Sequence, residues 1–216
     1  MTEPSNRAAQ FFDGYAQDFN AIYGNRNSAF NRVVNRLFRK AMRLRYEKTL
    51  QGCRPVEGRS VLDVGCGPGH YGIALALAGA SRVLGIDFAP GMVELAGRNA
   101  REAGIGSVCQ FVEGDFLAYP LQRDWDYSIV MGFMDYVADS EAVIRKVASV
   151  TRVRAFFSFP KDGGLLAWQR KLRYRNRCDL YLYTRDKVEA LLRRSGISRY
   201  TIESADRDFF VTVHCA

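Results

Sequence analysis

Nine residues, Val61-Leu62-Asp63-Val64-Gly65-Cys66-Gly67-Pro68-Gly69, alternate three glycines with single residues directly after a short apolar run. A carboxylate, Asp63, stands two residues before the first glycine. A strand ending in such a loop lets backbone approach a ligand closely, because glycine has no side chain to hold it off. A second carboxylate, Asp87, closes the next apolar run, Arg82-Val83-Leu84-Gly85-Ile86, twenty residues beyond Gly67. An acid at the end of the second strand of a doubly wound sheet accepts from the hydroxyls of a ribose. Together the loop and the acid predict a nucleoside cofactor. Two further strand ends carry chemistry-bearing residues: Glu113-Gly114-Asp115-Phe116, and Met131 followed by Gly132-Phe133-Met134-Asp135-Tyr136-Val137.

The spacing separates two kinds of cofactor. Dinucleotide folds use Gly-x-Gly-x-x-Gly, with a pyrophosphate over a helix N-terminus. Here the spacing is Gly-x-Gly-x-Gly with Asp63 in the strand end, and a carboxylate there disfavours a pyrophosphate but suits a cation. NAD therefore fits less well than S-adenosylmethionine (SAM), which has a sulfonium, an ammonium and a free ribose diol but no phosphate. The stretches VLDVGCGPG and VLGIDFAPGMVELA resemble the first two motifs of the class I SAM-dependent methyltransferases. That resemblance covers residues 61 to about 160 and implies SAM as cofactor and S-adenosylhomocysteine (SAH) as product. Carried onto this sequence, it implies cofactor contacts from Asp63, Gly65, Cys66, Gly67, Gly69, Asp87, Phe88, Met92, Asp115, Phe116 and Met131. In the family an acid at the place of Asp115 accepts from the adenine amino group, with Phe116 packing on the ring. Each residue also has a plainer role. Asp63 and Asp115 are of a type that caps turns and helices through backbone N–H groups. Phe88, Met92 and Phe116 suit an ordinary core, Cys66 and Pro68 suit loop shaping, and His70 suits packing or surface.

The elements that must position these residues follow from periodicity. Strands are predicted at 60–64, 82–86, 108–112, 126–131, 152–158, 197–203 and 209–215, and helices at 70–79, 90–103, 139–149 and 184–195. Pro90 falls at a favoured first-turn position. Strand–helix alternation with short connections predicts a mostly parallel sheet covered on both faces. The last two strands lack a helix between them and predict an antiparallel hairpin. The expected fold is α/β: a Rossmann-like doubly wound seven-stranded sheet, mostly parallel, ending in that hairpin, with helices on both faces. A single methyltransferase domain is expected over 1–216. Its parts would be a helical cap at 1–50, a cofactor-binding core at 60–160, an acceptor-side insertion at 160–183, and a last helix and hairpin at 184–216.

Bulk composition bounds the rest. A chain of 216 residues fits one domain burying roughly 70% of its unfolded surface. No apolar run approaches the ~20 residues needed to span a bilayer, and the polar start MTEPSNRAAQ is unlike a signal peptide. Five scattered cysteines without a Cys-x-x-Cys pair, and only two histidines, predict reduced thiols in a cytoplasm and no metal centre. The net charge of +8 is concentrated: from Arg145 onward stand 16 Lys or Arg against 7 Asp or Glu. Arg170, Lys171, Arg173, Arg175 and Arg177 form the densest cluster; Arg32, Arg36, Arg39, Lys40, Arg43 and Arg45 form another. Basic surfaces suit nucleic acid, acidic membrane or an anionic small molecule.

Methyl transfer from a sulfonium is an in-line displacement, so alignment and exclusion of water dominate. A general base is needed only when the acceptor must lose a proton. Asp135 and Tyr136 are the best placed candidates. An acceptor carboxylate or phosphate would arrive ionised and need no base, which suits a chain poor in histidine and rich in arginine. The expected acceptor site combines Tyr15 and Phe19 of the N-terminal segment with Trp168, Arg173, Arg175, Arg177, Tyr181 and Tyr183 of the insertion. Arginine forks there would grip oxyanions. The segments FFDGYAQDFNAIYG and RDKVEALLRRSGI…FFV bear a fainter resemblance to the magnesium-protoporphyrin O-methyltransferases, which implies a propionate-like carboxylate acceptor. The expected function is thus methyl transfer to a small, anionic acceptor at oxygen. Two alternatives stand beside it. RNA methylation would use the basic surface in a salt-dependent way, although strand four lacks the Asn/Asp-Pro-Pro-Tyr signature and no Pro-Cys pair follows it. A non-catalytic, cofactor-binding partner protein is the other.

Overall fold

The computed structural model describes residues 42–163 and 179–215. Alternation of side chains across one sheet organises them. In β1 (Ser60–Val64), Leu62 and Val64 enter one core cluster while Val61 enters another. The same alternation runs through β4 (Trp125–Val130), with Trp125 and Val130 on the first face and Tyr127 and Ile129 on the second. It recurs in β5 (Thr151–Pro160), where Phe157 and Phe159 oppose Phe156. Strands buried on both faces read as continuous apolar runs, as these do.

The remaining strands are β2 (Arg82–Asp87), β3 (Cys109–Glu113), β6 (Tyr200–Ala205) and β7 (Asp208–His214). They form one seven-stranded sheet in the order β3-β2-β1-β4-β5-β7-β6. Strands β1 to β5 pair in parallel, and β7 runs antiparallel to both β5 and β6. The expected mostly parallel sheet with a terminal hairpin is what forms. The chain order reverses at β1, which pairs with β2 on one side and β4 on the other. That is the switch point outside whose carboxyl ends ligands bind in open α/β sheets.

Helix α1 covers 42–52, followed by α2 (His70–Leu77), α3 (Pro90–Glu102), α4 (Ser140–Val150) and α5 (Arg185–Arg194). Val143, Ile144 and Val147 of α4 join Val188, Leu191 and Leu192 of α5 on the first face, while Leu75 and Ala76 of α2 cover the second. Asp139 and Thr184 cap α4 and α5 by accepting from Ala142 and Lys187 N–H. Strand β6 begins at Tyr200, later than the expected residue 197. The reason is the end of α5: Gly196, at φ 77°, lets Ile197 N–H return to the Leu192 carbonyl at 2.9 Å. Ile197 thus closes the helix and packs on the core instead of starting the strand. No helix among the described residues is long and apolar enough to cross a membrane.

Candidate functional site

The three glycines of the loop do different work. Gly65 adopts φ +67°, and a Cβ there would stand 2.5 Å from the Phe133 ring, so the β4 exit lies directly on the loop. At Gly69 a Cβ would meet the Phe111 ring at 2.8 Å. Gly67 alone faces open space, with nothing within 4 Å of a Cβ. A half-buried stretch of backbone with open space above it therefore stands at Gly67, at the β1–β4 switch point. Asn99 of α3 steadies the loop by donating to the Pro68 carbonyl at 3.0 Å.

The two loop acids are both buried and differ in what they hold. Asp87 Oδ2 accepts from Gly67 N–H at 2.8 Å and Oδ1 from Ala89 N–H at 3.0 Å. Burial raises its pKa, and the Ala89, Gly67 and Phe88 amides oppose that rise. An ionised carboxylate offers about four lone-pair sites, so Asp87 keeps acceptor capacity for a ribose hydroxyl beside the open backbone. Asp63 Oδ2 accepts from Gly72 N–H at 3.2 Å. Helix α2 starts after Gly69 with no side-chain cap of its own, so the β1 carboxylate serves as its cap from the neighbouring strand. Asp63 is 1% exposed, and burial pushes its carboxyl up to about 7, with Asp87 adding to the rise. Its direct partner is the helix start.

Other expected cofactor residues divide into cleft and core. Asp115 is exposed, with Oδ1 accepting from Leu117 N–H at 2.9 Å. Phe88 is half-buried beside Met92 and Ala89, which are buried in a small cluster of their own. Phe116 is 3% exposed and its ring sits in the core under Lys146. Met131 packs among Tyr127, Ile129 and Phe156. Cys66 is buried with Sγ turned toward Gly85, and burial together with both loop acids pushes its thiol well up. It shapes the loop.

On the other side of the switch point, Asp135 is buried and its carbonyl accepts from Tyr181 N–H at 2.8 Å. Tyr136 and Tyr181 are half-buried. Tyr183, expected on the acceptor side, is instead core. Its hydroxyl lies 2.6 Å from Ser140 Oγ and donates to the Met134 carbonyl at 3.0 Å, and burial raises it to about 12. Tyr15, Phe19, Trp168, Arg173, Arg175 and Arg177 lie outside the described residues.

Several site residues escaped the sequence reading. Arg45 of α1 reaches Asp208 at 3.2 Å and Ser158 Oγ at 3.3 Å, and Ser158 Oγ accepts from Gly132 N–H at 2.8 Å. This cluster ties α1 to the carboxyl edge of β4 and β5. Ser158, a lone hydroxyl within Ala155-Phe156-Phe157-Ser158-Phe159, was the signal available for it. Phe111 and Phe133, which fill the space behind and over the loop, carry no local signal.

The family described as "Methyltransferase domain" matches residues 61–154. Residues 61–154 thus resemble a methyltransferase domain, and the chain shares the class I methyltransferase fold. Among relatives, a ubiquinone biosynthesis O-methyltransferase of Bordetella avium is 33% identical over 111 residues, covering 51% of this chain and 45% of its own length. The chain spans less than half the length of this and the next curated relatives it matches. A 27-O-demethylrifamycin SV methyltransferase of Amycolatopsis mediterranei is 25% identical over 218 residues, covering 96% of this chain and 79% of its own. The magnesium protoporphyrin IX methyltransferase of Synechocystis, solved with bound SAH, shares the fold at a TM-score of 0.76 and 23% identity, over 98% of both chains. Within the matched residues, the open backbone at Gly67 and the Asp87 carboxylate stand side by side at the switch point.

Proposed function

We propose that this chain transfers the methyl group of SAM to a small anionic acceptor, most directly at a carboxylate or other ionised oxygen. The observation that carries the reading is the cradle in which open Gly67 backbone adjoins the Asp87 carboxylate with no phosphate-compatible helix start. The α2 N-terminus, which would serve a pyrophosphate, is already occupied by the Asp63 carboxylate. Gly67 and Asp87 would hold the ribose, Asp115 the adenine amino group, and Phe133 would shield the loop from solvent. SAM supplies an electrophilic methyl carbon on a good leaving group. The protein aligns the acceptor and excludes water.

The scarcity of bases favours an acceptor that arrives ionised. Of the two histidines in the chain, His214 pairs with Arg154 well short of the β5 carboxyl end, away from the site. His70 opens α2 and loses basicity to burial. The Tyr183 hydroxyl is committed to Ser140 and Met134. Asp135 and Tyr136, which follow β4 directly, are the acceptor-side candidates on this reading. The net charge of +8 and the resemblance to a porphyrin methyltransferase support an oxyanion. A labelled-methyl screen across acidic metabolites, tetrapyrroles, glycans and RNA tests this. Label in a carboxylate-bearing small molecule is expected, and label in RNA alone would overturn the acceptor class.

A further inference from the structure

The turn after β3 is held by a cation from the opposite side of the sequence. Lys146 Nζ, on α4, donates to the carbonyls of Phe116 at 2.6 Å, Leu117 at 2.9 Å and Tyr119 at 2.5 Å. It also lies 5.0 Å from the centre of the Phe116 ring. An ammonium has three donors, so all three are spent on one five-residue turn. The turn's other groups close on Asp115: its carbonyl accepts from Ala118 and Tyr119 N–H, and its carboxylate accepts from Leu117 N–H. Gly114 N–H in turn donates to the Asp87 carbonyl at 2.9 Å. The turn is therefore fixed at one end to the ribose acid and at the other to α4. Without Lys146, three converging carbonyls would repel one another and the Asp115 carboxylate would lose its fixed direction.

We infer that Lys146 is a positioning residue that sets adenine selectivity by holding Asp115 where it accepts from the 6-amino group. This rests on the adenosine reading above and assigns Lys146 no contact with the ligand. The test compares SAH with S-inosylhomocysteine, in which an oxo group replaces the amino group, by titration calorimetry on the full chain. Lys146→Met should weaken SAH by about tenfold or more while changing S-inosylhomocysteine by less than about twofold, so the preference for the amine collapses. Lys146→Arg, which keeps several donors on a cation, should restore most of the preference. Should Lys146→Met fail to fold, Lys146→Gln carries the same comparison. Equal weakening of both ligands, or no change in either, would overturn the assignment of Lys146 alone. Failure of the unaltered chain to bind either ligand would instead overturn the adenosine reading and this inference with it.

Discussion

The two halves of the carboxyl edge are built in opposite ways. On the β1–β2–β3 side, the edge consists of short loops following their own strands, and its polar groups are backbone N–H and two carboxylates. On the β4–β5–β7 side, the edge is assembled from residues far apart in sequence: Arg45 of α1, Gly132 after β4, Ser158 of β5 and Asp208 of β7. The first arrangement is built from neighbours in sequence. The second ties α1 to the far end of the sheet through Arg45. On the proposed function, the first half is the donor site and the second borders the acceptor site.

If the two halves are independent, they should be separable by mutation. The largest expected effect is on the acceptor half. Arg45→Met removes the partner of a buried carboxylate and should cost about 3 kcal/mol of stability, seen as a fall of roughly 6–12 °C in melting temperature. SAH affinity measured below that transition should stay within about threefold. A parallel collapse of SAH binding would show that the halves are one unit.

A matched pair within the donor half gives the next effect. Gly65→Ala and Gly67→Ala bear similar penalties for positive φ, but only Gly65→Ala drives a methyl into Phe133. Gly65→Ala should therefore lose about 1–3 kcal/mol more stability, while Gly67→Ala should lose SAH affinity by about tenfold without that extra cost. Equal stabilities by denaturant titration would remove Phe133 from the loop.

The smallest effect concerns Asp63. The folded chain keeps this proton up to about pH 7, whereas an unfolded carboxyl, at the ordinary value of 3.8, releases it earlier. The contribution to stability is full below the unfolded value and is lost as pH rises to about 7. Asn at 63 still accepts from Gly72 N–H and carries no charge. Relative to the natural chain, Asp63→Asn should gain about 5 °C in melting temperature between pH 5 and pH 8. A constant difference across that range would mean that Asp63 is ionised throughout.

The same contrast explains what was legible in the sequence. The strands, their parallel order and the hairpin followed from apolar runs and short connections, because each strand carries its own burial pattern. Asp87 and the glycine loop were legible because their spacing is local. The distinct duties of the glycines were not, since they depend on Phe111 and Phe133 arriving from other strands. Tyr183 read as an acceptor residue because it falls in the insertion after β5. Its bridge to Lys161 and its hydroxyl contacts to Ser140 and Met134 draw it into the core instead. Arg45 read as one charge in a basic helix. Its buried partner, Asp208, stands 163 residues later, a separation that no local pattern encodes.

The most direct measurement is calorimetric titration of SAH and of NAD into the unaltered chain and into Asp87→Ala. SAH should bind in the micromolar range, NAD should give no heat, and Asp87→Ala should weaken SAH by about tenfold or more through loss of charge-assisted hydrogen bonds. Heat with NAD but not SAH, or unchanged SAH affinity in Asp87→Ala, would contradict a SAM cradle formed by Gly67 and Asp87.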